Sequence, residues 1–151
     1  MSSFTEPFEY KIVRPGVGEL TKLIVFYKDD DMTGEFLTMP VGTRFNGASD
    51  LKWLKDGHAK KIFGKILKLM GWNPWDPHIL PATVVHDCLV GEFGRKARVG
   101  PYNRTVSWNE AAQWFDEALR VCDMQYGNVS WLKRKLIISA VMAYGKATGK
   151  K

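Results

Sequence analysis

The chain has 151 residues, 45% of them hydrophobic and 25% charged, the composition of a single globular domain long enough to bury a core. Lys and Arg number 22 against 16 Asp and Glu, and the resulting net charge of +6 permits an anionic partner without requiring one. Two cysteines, Cys88 and Cys122, are too few for a disulfide scaffold, no apolar run approaches the ~20 residues of a membrane span, and the pattern excludes a zinc finger, a coiled coil and a repeat array.

The first half reads as strands. Residues 8–14 alternate apolar with polar side chains and stop at Pro15-Gly16. Leu20 to Tyr27 is a β-branched and aromatic run ending in Lys28 and the acidic Asp29-Asp30-Asp31. That triplet lacks the spacing and closing Glu of a calcium loop and reads as a solvated hairpin tip. Residues 35–39 follow Gly34 and end at Pro40, and residues 41–45 form a fourth short strand. Period-two patterning broken by turn residues predicts an antiparallel meander over 8–47.

The second half, 50–145, reads as about four helices. Residues 58–70 put Ile62, Ile66 and Leu69 on one face and Lys61, Lys65 and Lys68 on another, before Gly71 and Pro74. Pro81 suits the first turn of a helix that runs to about Gly91. Ser107 with Glu110 reads as a capping box. The helix it opens carries the cleanest apolar stripe in the chain: Trp108, Ala111, Ala112, Phe115, Ala118, Leu119 and Cys122. A last helix begins near Asn128 or Ser130, is apolar almost all round from Leu136 to Tyr144, and should fray over 146–151. Strands followed by helices within one domain, 1–151, give an α+β fold: a small antiparallel sheet packed against the helices.

Two segments carry candidate chemistry. His86-Asp87 lies inside the Pro81 helix, where adjacent side chains point about 100° apart and do not form a simple hydrogen-bonded dyad. An imidazole and a carboxylate are two potential metal ligands, short of the three or more that zinc or iron needs. With His58 and His78 in other segments, no metal or other cofactor is assigned. The structural alternative makes His86 a core-edge side chain bonded to a carbonyl, and Asp87 an acceptor for amides of the preceding loop. The second segment is Phe45-Asn46-Gly47-Ala48-Ser49-Asp50, where sheet meets helices. Ser49 as a nucleophile would need His86 as its base, and the chain has no Gly-x-Ser-x-Gly elbow.

Phe45-Asn46-Gly47-Ala48-Ser49 followed by Trp53, then His86-Asp87-Cys88-Leu89, then Ala111, Phe115 and Ala118-Leu119 occur in that order. This series resembles a domain-of-unknown-function family of small bacteriophage and prophage proteins, whose motifs run Phe-Asp-Gly-Ala-Ser-Ile-Pro with a Trp shortly after, His-Asp-x-Leu-Tyr, and Ala-Asp-x-x-Phe-x-x-Ala-Leu. It spans about residues 8 to 145. The departures are Asn46 for the first acidic position, Asp50-Leu51 for Ile-Pro, Val90 for the Tyr, and Ala112 for the last Asp. An amide binds cations far more weakly than a carboxylate, and a methyl group does not bind them. His86 and Asp87 therefore read as a strut pinning the Asn46–Ser49 loop.

The resemblance implies a phage-encoded chain, placed in the virion or the host bacterial cytoplasm, with no secretory leader expected at Met1 to Pro7. The leading expectation is a non-catalytic virion or assembly component that binds another phage protein or itself, with Trp72, Trp75 and Trp131 as interface candidates, since tryptophan is favoured at binding hot spots. A cell-wall-directed hydrolase using His86, Asp87 and Ser49 is the enzymatic alternative, and an inhibitor of a host defence protein a third. Nucleic-acid binding through Arg95, Lys96, Arg98 and Arg104, with Trp72, Trp75 and Tyr102 as stacking faces, is weakly supported, because no recognition-helix or RNA-binding sheet signature accompanies them. A membrane-surface role for the basic helix at 58–70 is explained equally by packing on the sheet.

Overall fold

A computed structural model gives the fold and describes residues 2–5, 7–28, 34–46, 77–127 and 129–149. Among the described residues there are six strands, β1 (Ser3–Phe4), β2 (Tyr10–Arg14), β3 (Val17–Leu20), β4 (Ile24–Tyr27), β5 (Phe36–Met39) and β6 (Arg44–Phe45). Three described helices follow: α1 (Leu80–Val90), α2 (Trp108–Tyr126) and α3 (Trp131–Thr148). The architecture is α+β. The helix expected over 58–70 lies outside the described residues.

The strands do not form one meander. They pair as two antiparallel three-stranded sheets, β1-β4-β5 and β2-β3-β6. The run from Leu20 to Tyr27, expected as a single strand, breaks at residues 21–23, where the chain leaves one sheet for the other. On one side of that break Leu20 donates its N–H to Thr43 O at 2.9 Å and Thr21 donates to Glu9 O at 3.1 Å. On the other, Ile24 pairs with Met39. The chain crosses back between β5 and β6 through Pro40 to Gly42. Leu20, Ile24, Phe26, Leu37, Met39 and Phe45 all point into the core, because alternate strand residues share one face.

The α2 stripe is buried as its period predicts, from Trp108 to Cys122. Trp114 lies off that stripe and is fully buried too. It packs beside Phe26, ring centroids 6.1 Å apart, with the Lys28 ammonium 5.3 Å from its ring. α2 is thus covered on two sides, which a one-stripe reading does not anticipate. The capping box is half formed. Ser107 Oγ accepts the Glu110 N–H at 3.2 Å, but the Glu110 carboxylate turns to Arg104 instead of back to Ser107.

α3 opens at Ser130, whose hydroxyl accepts the Lys133 N–H. It runs to Thr148. It is not enclosed all round: Ile137, Ala140, Val141 and Gly145 are buried, whereas Ser139 and Ala143 are exposed. Trp108 explains the glycine in that helix. Its indole N–H donates to Val141 O at 2.9 Å, and its ring fills the space a β-carbon at position 145 would need. None of the described helices is long and apolar enough to cross a membrane.

Candidate functional site

α1 positions the His-Asp pair. Pro81 sits in its first turn and Gly91 closes it in the left-handed region, φ 73°, a conformation that costs glycine little. Between these ends, His86 and Asp87 leave the helix in different directions. Asp87 faces β6: its Oδ2 accepts the backbone N–H of Asn46 at 3.0 Å, across 41 positions of sequence. The Asn46 side-chain amide donates to Glu92 Oε1 at 3.3 Å. Phe45, one residue earlier, is fully buried, its ring packed 5.7 Å from both Phe8 and Tyr10. The β6 end of the sheet is therefore held by two adjacent residues, Phe45 in the core and Asn46 hydrogen-bonded to α1.

His86 faces α2. Its ring stands edge-on to Trp108, centroids 5.3 Å apart, and beside Phe115 at 5.2 Å. Nδ1 lies 3.9 Å from Asp87 Oδ1, an electrostatic contact too long for a hydrogen bond. Nε2 is buried and has no hydrogen-bond partner among the described residues, so the carbonyl expected for this histidine is not found among them. The reason is the composition of the α2 face, which offers aromatic rings where an acceptor would have to stand. Leu89, one turn on, is fully buried.

Burial pushes the Asp87 carboxyl above its ordinary value, while His86 and the Asn46 amide pull it part of the way back. Burial, with Asp87 beside it, pushes the Cys88 thiol up to about 12. A thiol held protonated in this way is a poor nucleophile.

A cleft of about 300 Å³ opens on the Asp87 side of α1. Its walls come from Thr38 on β5, Arg44 on β6, Asp87 and Cys88 on α1, and Phe93 and Arg95 in the loop after it. No local pattern signals this cleft, because its walls come from two distant stretches of chain, 38–44 and 87–97. His86 is not among its lining residues.

A second polar cluster also escaped the motif reading. Arg104 bonds Glu35 through two nitrogens, at 2.7 and 2.8 Å, and approaches Glu110 at 2.7 Å. The Glu35 side chain is only 5% exposed. These contacts raise the Arg104 pKa further above its already high ordinary value, the Glu35 hydrogen bonds most. Arg104 is a clamp joining Glu35, the residue before β5, to the loop before α2 and the first turn of α2. No local spacing signals it, since Glu35 and Arg104 are 69 positions apart.

Gly47, Ala48, Ser49, Trp53, Trp72 and Trp75 lie outside the described residues, as does any approach of Ser49 to His86. Trp131 is described and is 64% exposed, with the Lys135 ammonium 5.4 Å from its ring. Among the described residues, no three His, Cys, Asp or Glu side chains gather as a metal site would require. Comparison of the chain with protein-family models, with curated proteins and with solved structures found no match.

Proposed function

We propose that the chain is a bacteriophage-encoded, non-catalytic assembly or virion component that works by binding another protein. The phage origin rests on the ordered motif resemblance. The non-catalytic part rests on one observation: the two side chains best suited to chemistry are occupied by packing. A general base must come within hydrogen-bond reach of the proton it takes. His86 Nε2 is buried among aromatic rings, and Asp87 Oδ2 is engaged by the Asn46 backbone. Both act as tethers between layers in this reading.

The test is to tag the chain in an infecting phage, separate particles and sub-assemblies on a density gradient, and locate the tag. Migration with particles or with another phage chain is the expected result. A strictly monomeric chain, absent from every assembly, would overturn the proposal.

One observation favours a hydrolase as second reading: the cleft has a carboxyl on its wall whose pKa burial raises, the direction of shift a general acid needs. In that reading Asp87→Asn abolishes turnover of a cell-wall substrate without loss of folding. In the binding reading no turnover exists to abolish.

A further inference from the structure

The outer edge of β5 is only partly paired. Phe36 and Gly100 exchange both backbone bonds, at 3.0 and 2.9 Å, so the short Val99–Arg104 hairpin extends the sheet by one rung. Backbone alternation along β5 then turns the Thr38 N–H and C=O to the same edge. The opposite chain does not meet them. Ala97 donates its N–H to Cys88 O at 2.8 Å, which draws residues 95–98 towards α1, and the ladder ends after Phe36. Among the described residues no hydrogen bond engages this edge of Thr38. Thr38 lines the cleft beside α1, with Arg44 and Arg95 also in its wall.

An open strand edge is a template for another backbone. Arg95 is exposed and has no ion-pair partner among the described residues, while Arg44 shares its charge with Glu19 at 3.4 Å. The acidic groups near the cleft, Asp87 and Glu92, both bond Asn46. The cleft therefore offers one donor and one acceptor of backbone type, bordered by guanidinium groups. A phosphodiester has acceptors but no donor for the Thr38 carbonyl, so the pair fits an amide backbone better than a nucleic acid.

We infer that this cleft takes a short, extended, acidic peptide segment of a partner protein, which adds one rung to β5 at Thr38 and sets its carboxylate against Arg95 and Arg44. The inference rests on the binding reading above and names the surface and the chemistry of the partner.

The experiment pans the full chain against a randomised short-peptide library and measures a selected peptide by fluorescence anisotropy and by amide shifts of the ¹⁵N-labelled chain. The selected sequences should carry Asp or Glu beside β-branched residues, and the Thr38 amide should shift. Arg95→Glu should weaken binding by about tenfold or more, as expected for loss of a charge-assisted bond. Thr38→Pro removes the edge donor but is open to misfolding. The same question is therefore asked of the ligand: N-methylation of the peptide at one position should abolish binding while its neighbours tolerate it. Selection without acidic enrichment, an N-methyl scan with no sensitive position, or equal binding by Arg95→Glu would each overturn the inference. So would displacement of the peptide by a single-stranded oligothymidine, which would assign the surface to nucleic acid. Peptide binding by a chain that never enters an assembly upholds this inference and overturns the assembly reading. Assembly that persists with no peptide selected does the reverse.

Discussion

The carboxylate of Asp87 on α1 and the backbone N–H of Asn46 after β6 meet at 3.0 Å, joining the helical layer to the sheet at a point where Asp87 has almost no contact with water. Burial is the largest influence on this group and lifts its pKa above the ordinary 3.8. The folded chain thus binds the proton more tightly than the unfolded chain. The stability this contributes is fully present in acid and is lost as the pH rises from 3.8 through the folded pKa.

Asp87→Asn cannot ionise and still offers an oxygen to Asn46. The melting temperature of D87N minus that of the wild-type chain should increase across that window and then level off. Thermal melts from pH 3 to 8, about the range over which carboxyl titration and its linkage are read, check this. A difference that stays flat would mean that Asp87 titrates alike in both states.

His86 fills the space between α1 and the Trp108 and Phe115 rings without a bond to Nε2. His86→Ala should cost about 2 kcal/mol through the cavity it leaves. His86→Phe should stay within about 1.5 kcal/mol of wild type, because it keeps the volume and removes an unbonded polar atom. Urea unfolding of both variants measures the pair. If the imidazole works as a base, H86F would instead be folded and inactive in whatever process requires it.

The Arg104 side chain is 39% exposed, whereas the Glu35 side chain it bonds is 5% exposed. Arg104→Met should leave a buried carboxylate unpaired and cost about 2 kcal/mol, below the value for a fully buried pair because water reaches the arginine side. In a double-mutant cycle with Glu35→Gln the two losses should be strongly non-additive. Additive losses would show that the clamp carries no coupling.

Gly145 decides between two opposed effects. A glycine inside a helix is normally about 1 kcal/mol worse than alanine. Here a β-carbon would run into the Trp108 ring, and that ring is fixed by its own bond to Val141 O. Overpacking of this kind costs about 1–3 kcal/mol. Gly145→Ala should therefore lower the melting temperature, against the helix-propensity trend.

Of the candidate site, the sequence marked the residues but not their surroundings. His86 and Asp87 were legible as a pair that diverges, because one residue along a helix is a fixed rotation. What each would meet was not legible. Asp87 finds its partner 41 positions back, and His86 finds two rings on a helix that begins more than twenty residues later. The cleft depends on where Ala97 sends its N–H, a choice no composition reports.

The sequence by itself determined the breaks and the apolar faces: Pro15-Gly16 between β2 and β3, Gly91 at the end of α1, the serine cap of α2, and the stripe from Trp108 to Cys122. These follow from local backbone preference and from period, which act within a few residues. The tertiary structure alone decided that the strands divide into two sheets, that Trp114 is buried on a second face, and that Arg104 closes on Glu35. Periodicity says which side of an element avoids water. Only the packed chain decides which distant residue comes to cover it.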